Sequence, residues 1–188
     1  FKNKDKRTFI GWKLVYSGIP LLIVSASVLI SSNADSLMIG WLNNTSQVGL
    51  YNVASKLALL TSFFLSLIIS TVAPKIAVLY NDGNIEELEQ MLRQVNKGLT
   101  IIGVVSLLFF VFVGKYILGF WGKGFIEAYN ILIVLAIGQL VNIASGPIGN
   151  VLIMTGHQKI IRNITLVTVI INIILNYFLI QNYQALGA

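Results

Sequence analysis

Charge, cysteine and histidine are scarce in this chain of 188 residues, and each shortage excludes a class of function. Only 11% of the residues are charged, whereas a soluble domain usually carries about a quarter. The absence of cysteine excludes a disulfide framework, a thiol nucleophile and a cysteine zinc site. The single histidine, His157, excludes a multi-histidine metal site, and no P-loop type of phosphate loop is present. The sequence therefore predicts neither a metal nor a cofactor.

The chain is rich in apolar residues: 56% of it is hydrophobic, and the mean hydropathy is +0.81. Five segments reach the roughly 20 residues that a transmembrane helix needs. They cover about 14–42, 49–79, 99–121, 125–154 and 160–183. The sequence predicts an all-α, polytopic transmembrane helix bundle, preceded by a basic cytoplasmic linker over 1–13. Since the chain opens on Phe1 and closes on "QALGA" in mid-pattern, we expect a piece of a longer protein.

The segment "NDGNIEELEQMLRQVNKG" separates the second and third spans and predicts an amphipathic helix over about 84–97. Its apolar residues recur at helical spacing, at Ile85, Leu88, Met91, Leu92 and Val95. One interpretation is a cytoplasmic helix lying along the membrane surface. The other is a solvated helix that packs on a neighbour, and the sequence does not choose between them.

Lysine and arginine counts in the loops predict the orientation of the chain in the membrane. If the amino end is cytoplasmic, ten basic residues lie in inside loops, and only Lys115 and Lys123 lie outside. This bias predicts a multi-pass membrane protein with its amino end inside. The net charge of +6 thus reflects topology, and no nucleic-acid partner is expected.

Asp35 and Lys56 are the two charges well inside the predicted spans. Each is seven residues from the outer end of its span, hence roughly 10 Å deep. The short loop "NNTSQV" makes their helices neighbours, so both charges lie at one depth. They form either an ion pair that joins two helices or part of the wall of a water-filled pathway.

Polar residues also form stripes on the other spans. On one face of the second span lie Asn52, Ser55, Lys56, Ser62, Ser66 and Ser70. The fourth span carries Gln139, Asn142 and Ser145. One face of the fifth span carries Arg162, Thr165, Thr168, Asn172 and Asn176. Asparagines at this depth are harder to explain by packing than serines are. The stripes favour an internal aqueous cleft. In the fourth span, Gly146 and Pro147 predict a bent or broken helix, which serves either packing or a transport cavity.

Several motifs in order resemble the lipid-linked oligosaccharide flippases, the polysaccharide biosynthesis exporters related to multidrug and toxin extrusion transporters. The motifs are "NADSLMIGWLNNTSQVGLYNVASKLA", "APKIAVLYNDGNIEEL", "FWGKGFIEAYNIL", "LIMTGHQK" and "INIILNYFLIQNYQALGA". Two departures lie in an outer loop: Gln181 stands where many relatives have proline, and Gln184 where they often have glycine.

The resemblance implies two six-helix halves that work by alternating access, of which this chain is the carboxy-terminal half. It also implies that the substrate is a polyprenyl-pyrophosphate-linked sugar repeat unit, which is flipped across the bacterial inner (plasma) membrane. The implied partners are the bilayer and the missing amino-terminal half. An anionic head group would then meet Lys56 in the cleft, with Arg162 and Lys159 at the cytoplasmic entrance. Asp35 would orient Lys56 or carry a coupling proton. Sugar hydroxyls would meet the cleft amides of Asn52, Gln139, Asn142, Asn172 and Asn176.

Two other functions stay open. A cation-coupled antiporter of the same superfamily would favour carboxylates and aromatics in its cavity, so the lone deep Lys56 favours the flippase. A membrane-embedded glycosyltransferase or ligase would need acidic or histidine groups in a sizeable outer loop. The outer loops here are short, so no enzyme is expected.

Overall fold

The computed structural model describes residues 4–188, with side chains from residue 18 onward except at 20, 21, 31 and 32. The described part contains helices and no strand. Its elements are α1 (Lys4–Leu42), α2 (Thr45–Asn81), α3 (Ile85–Phe120), a 3₁₀ helix (Lys123–Ala128), α4 (Tyr129–Ala144), α5 (Ile148–Met154), α6 (Gln158–Tyr183) and a second 3₁₀ helix (Gln184–Gly187). α1 already begins within the segment predicted as a linker, and residues 1–3 of that segment lie outside the described residues.

Five stretches of the described chain are long and apolar enough to cross a membrane. They are Leu22–Leu42, Thr45–Asn81, Ile85–Phe120, Lys123–Met154 and Gln158–Gly187. Large apolar side chains such as Val105, Phe112, Ile170 and Phe178 face outward, as lipid requires. The predicted all-α, five-span bundle is therefore confirmed, and the chain is a multi-pass membrane protein.

Short, capped connections make consecutive helices antiparallel neighbours. Between α1 and α2 the side chain of Asn44 accepts a hydrogen bond from the backbone N–H of Gln47 at 2.9 Å, which caps α2. Between α2 and α3 the chain turns through Asp82 and Gly83, and Gly83 has φ +73°. These two turns lie at opposite ends of the bundle, and we call them the Asn44 end and the Gly83 end.

α3 is one uninterrupted helix of 36 residues, so the amphipathic segment is not a separate surface helix. Leu88 is buried, and Met91, Leu92 and Val95 pack with it against Val72 and Ile76 of α2. The apolar stripe therefore packs on a neighbouring helix, which is the second of the two interpretations of this segment. The sequence did not show that the helix continues without a break through Gly98 into the apolar span.

α2 is the central helix, since it packs against α1, α3, α4 and α5. The main buried cluster lies toward the Asn44 end and includes Leu50, Ala54, Leu57 and Leu132. α3 and α4 approach closely at Gly103, where an added Cβ would lie 2.6 Å from Ile143 Cγ2 and 2.7 Å from Leu140 Cδ1. Small residues at such a crossing are typical of membrane helices.

The fourth span consists of two separate helices, because the helical backbone hydrogen bonding is interrupted between them. α4 ends at Ala144 and α5 begins at Ile148, with Gly146 at φ +71° between them and Pro147 as the first residue before α5. On the facing helix α3, Asn96 Oδ1 is buried without a hydrogen-bond partner and lies against Gly146. Only glycine fits this position, because its φ is positive and Asn96 occupies the space that a Cβ would need.

Candidate functional site

The carboxylate of Asp35 is the centre of a hydrogen-bonded cluster that joins α1, α2 and α6. The Tyr51 hydroxyl donates to Asp35 Oδ2 at 2.7 Å, and the Asn176 amide donates to Asp35 Oδ1 at 2.6 Å. Tyr51 is 5% and Asn176 is 3% exposed, so both donors are withdrawn from solvent. The amide of Asn176 is also 3.5 Å from Asn172 Oδ1, one turn earlier on α6. Each oxygen of the carboxylate therefore has its own donor.

A second contact between α1 and α2 lies directly beside the first. The Ser36 hydroxyl donates to Asn52 Oδ1 at 2.9 Å. The consecutive residues Asp35 and Ser36 thus face the consecutive residues Tyr51 and Asn52. Two adjacent polar pairs fix both the rotation and the depth of one helix relative to the other.

Asp35 and Lys56 form no ion pair; the single ion pair among the described residues is Arg93–Glu89, on the exposed face of α3. The ion-pair interpretation rested on depth alone and omitted helical phase. Lys56 follows Tyr51 by five positions, which rotates it by about 140° around α2. Since Tyr51 faces Asp35, Lys56 points to the other side of the helix.

Lys56 instead lines an open pocket of about 320 Å³ on the face of α2 that is turned away from Asp35. Asn52 and Trp121 contribute to the same pocket, with Leu57 and Leu60 as its apolar part. The lysine is exposed and has no carboxylate partner within the described chain. A cation, an amide and an indole ring share this surface, and they suit an anionic or hydroxylated ligand.

Gln139 and Asn142 belong to a separate polar cluster between α2 and α4. The Ser62 hydroxyl donates a short hydrogen bond to Gln139 Oε1, and the Asn142 amide lies 3.3 Å from the same oxygen. Asn142 is exposed on the surface of the bundle. The structure therefore separates the predicted polar residues into two groups: Asn172 and Asn176 with Asp35, and Gln139 with Asn142.

The basic residues at the start of α6 lie apart from both clusters, at the Gly83 end. Arg162 donates from Nε and Nη2 to Asn163 Oδ1 at 3.1 and 2.9 Å, and no carboxylate with a described side chain pairs with it. His157 precedes α6, with Nδ1 3.0 Å from the Thr155 hydroxyl, and Lys159 is exposed. This end of α6 is a positively charged surface.

The residues that sequence reasoning missed are Tyr51, Ser36 and Trp121. Tyr51 was hidden because it sits in an apolar context and adjoins the polar stripe without belonging to it. A wheel that counted the tyrosine hydroxyl as polar would have placed it beside Ser55 and Ser62 and shown its phase relative to Lys56. Trp121 directly follows α3, and it lies beside Lys56 because of the tertiary fold, which the sequence pattern does not reveal.

The side chains that meet in these clusters are amides, hydroxyls and one carboxylate. Among the residues with described side chains, no group of three or more histidine, cysteine or carboxylate side chains is close enough to hold a metal ion. The clusters bind and orient through hydrogen bonds, since amides and hydroxyls both donate and accept. They are suited to recognition.

Comparison with known proteins places these features in a family. A family model described as MatE matches residues 20–178. The capsular polysaccharide biosynthesis protein CapF of Staphylococcus aureus is 26% identical over 171 residues, which are 90% of this chain and 43% of CapF. The chain thus spans less than half the length of this curated relative. No solved structure matches the chain.

The MatE match includes most of α1, all of α2 to α5 and most of α6, and it contains every residue of the Asp35 cluster. It therefore covers far more than half of the chain. The family-level resemblance drawn from the motifs is confirmed, and the chain belongs to the MatE family.

Proposed function

We propose that the intact protein moves a lipid-linked oligosaccharide across the bacterial inner membrane during surface polysaccharide assembly, and that this chain is one of its two halves. The observation that carries the proposal is the similarity of 90% of the chain to a protein named for capsular polysaccharide biosynthesis. Membership of the MatE family supports transport as the activity. The share of CapF that is matched supports a second half elsewhere in the protein.

The position of Lys56 supports a hydrated path on the outer face of α2. A lysine in contact with lipid at this depth costs several kcal/mol, about 2.5–3.5 on insertion scales. Lys56 has no carboxylate partner among the described residues to lower that cost, and water or an anionic ligand at this surface would lower it. A pyrophosphate-linked sugar offers both the anion for Lys56 and hydroxyl groups for Asn52 and Trp121.

The basic residues of α6 support an entrance for the same anion. Lys159 and Arg162 lie at the Gly83 end and have no carboxylate partner in the described part of the chain. We place this end in the cytoplasm, because the sequence-predicted topology puts ten basic residues on the side of the membrane that carries the Gly83 turn and two on the other side. Substrate would then meet Lys159 and Arg162 before Lys56.

Asp35 takes a different role from the one first expected. Its oxygens are occupied by Tyr51 and Asn176, so it does not orient Lys56. The carboxylate instead holds α1, α2 and α6 in fixed register beside the path. A coupling ion at Asp35 would have to compete with these two donors.

Complementation tests the proposal with the full-length gene in a strain that lacks its own flippase. We expect wild type to restore surface polysaccharide, Lys56→Ala to abolish it at normal membrane protein level, and Lys56→Arg to retain part of it. Lys97→Ala is the matched control, since Lys97 is an exposed lysine of α3 outside both clusters. Wild type that restores nothing, after provision of the matching repeat unit, contradicts the proposal. Equal export by Lys56→Ala and Lys97→Ala refutes the role of Lys56.

One observation favours a second candidate, a cation-coupled antiporter of the same superfamily. Asp35 is a partly buried carboxylate with no cationic side chain within ion-pair distance among the described residues. An antiporter needs such a carboxylate for its coupling ion or its cationic substrate. Cation-driven uptake of a fluorescent cationic drug into vesicles, lost in Asp35→Asn, would support this candidate, and its absence in wild type would exclude it.

The enzyme alternative receives a direct test as well. The purified intact protein should transfer no sugar in detergent, because no pair of acid and base groups converges on either cluster. Sugar transfer by the purified wild type would overturn this expectation.

A further inference from the structure

A second, smaller pocket lies at the Asn44 end, away from Lys56 and from the Asp35 cluster. Its volume is about 210 Å³. It is built where the first turn of α2, the start of α4 and the end of α6 meet. Its polar lining comes from Gln47, Glu127, Asn130, Tyr183 and Gln184.

The polar side chains of this pocket are free to bind a ligand. Within the described residues, the side chains of Gln47, Glu127, Asn130 and Gln184 make no hydrogen bond or ion pair. The backbone N–H of Gln47 donates to Asn44 Oδ1, the N-cap of α2, and leaves the Gln47 side chain uninvolved. Three carboxamides and one carboxylate therefore line one pocket without a protein partner, and those of Glu127, Asn130 and Gln184 are exposed. Such convergence of a few polar groups over apolar residues is characteristic of small-ligand sites.

Gln184 carries an independent mark of function in its backbone. It has φ 55° and ψ −138°, and it is the one non-glycine residue with positive φ among residues 4–188. This combination is close to the first central position of a type II′ turn, where glycine dominates. Glutamine here keeps a strained backbone that glycine would relax. Strain of this kind clusters at ligand sites, and here the strained residue contributes its side chain to the pocket.

We propose that this pocket binds one neutral pyranose ring of the transported saccharide. The inference rests on the proposed function and deepens it by naming a sugar subsite. Carboxamides donate and accept, and a carboxylate accepts, so together they match the adjacent hydroxyls of a pyranose. The Tyr183 ring offers an apolar face for the C–H side of the sugar. The pocket volume is smaller than that of pockets for drug-sized ligands, which is about 300–1,000 Å³. A pocket of this size suits a single sugar ring.

The charge of the pocket sets its selectivity. Glu127 is the one carboxylate in the lining, and no lysine or arginine joins it. A negatively charged uronic acid would be repelled there, whereas a hexose or an N-acetylhexosamine would not. In the orientation that we propose, the pocket lies at the outer, non-cytoplasmic end of the bundle.

Saturation-transfer NMR on the full-length protein in lipid nanodiscs tests this site. The probes are free glucose, galactose, N-acetylglucosamine and glucuronic acid. We expect saturation transfer to at least one neutral sugar and at least a threefold weaker signal for glucuronic acid. Gln184→Gly and Glu127→Ala should lower the neutral-sugar signal at least fivefold. Gln181→Ala is the control, since Gln181 is an exposed glutamine of α6 that does not line the pocket.

Gln184→Gly keeps the test free of folding artefacts, because glycine relaxes this backbone and should leave the protein at least as stable. Equal signals from wild type and Gln184→Gly, or no signal from any sugar with wild type, overturn the proposal. Complementation separates the two levels of inference. Export without sugar binding refutes the subsite and leaves the flippase; sugar binding without export by wild type refutes the flippase and leaves the subsite.

Discussion

Replacing Gly146 with alanine should disrupt the close contact between the segment that joins α4 to α5 and the neighbouring helix α3. The new Cβ would collide with Asn96 Oδ1 and lie 2.7 Å from Asn96 Cγ. Alanine at φ +71° costs about 1–2 kcal/mol in backbone strain. Displacing the Asn96 side chain from a packed position costs a further about 1–3 kcal/mol. We therefore expect Gly146→Ala to lower the free energy of unfolding by about 2–5 kcal/mol.

A double-mutant cycle with Asn96→Ala separates these two costs. Asn96 Oδ1 has no donor, so Asn96→Ala alone should be nearly neutral. In the Asn96→Ala background the collision is gone, and Gly146→Ala should cost only the about 1–2 kcal/mol of backbone strain. The coupling energy between the two positions should then be about 1–3 kcal/mol.

Equilibrium unfolding of the full-length protein in mixed SDS micelles, followed by circular dichroism, gives the four free energies. Gly138→Ala is the matched control, because Gly138 lies in α4 and a Cβ there would meet nothing within 4 Å. Alanine at that position should stabilise the helix by up to about 1 kcal/mol. A coupling energy of zero between Gly146 and Asn96, or equal effects of Gly146→Ala and Gly138→Ala, would refute the reasoning.

Three further substitutions have defined outcomes. Tyr51→Phe removes the donor to Asp35 Oδ2 and should destabilise the protein by about 1–3 kcal/mol in the same unfolding assay; no change would show that water replaces the hydroxyl. Gly103→Val should separate α3 from α4 and lower the thermal midpoint of the purified protein, whereas an unchanged midpoint would contradict the close crossing. Gln184→Gly should raise the free energy of unfolding by about 1 kcal/mol, and a loss of stability would show that its backbone is not strained.

The fold followed from the sequence because lipid imposes a simple rule on the backbone. Each span must satisfy its own hydrogen bonds, so length and apolarity suffice to predict five membrane helices. Helix ends were harder, since the cost of a charge falls steeply where a helix leaves the membrane. The charged segment from Glu86 to Lys97 was therefore predicted as a separate helix, whereas in the structure it is the first part of α3.

The site was predictable in composition and only partly in arrangement. Asp35, Asn172 and Asn176 form one hydrogen-bonded group, as expected for polar residues at a similar depth in the membrane. The partner of Asp35 was wrong in the ion-pair interpretation because depth fixes one coordinate of a side chain and helical phase fixes the other. The phase of α2 depends on which face packs against α1, α3 and α4, and tertiary contacts alone decide that.

The unbroken helix α3 has a mechanical consequence. At 1.5 Å per residue its 36 residues extend about 54 Å, well beyond a hydrocarbon core of about 30 Å. The charged turns at its start are therefore a lever rigidly attached to the buried part of the bundle. A tilt of about 10° around the Phe120 end would carry the tip through roughly 9 Å, since the arm is about 54 Å long. Because this chain has no cysteine, a spin label placed on an introduced cysteine near Gln90 would report that displacement from the aqueous side.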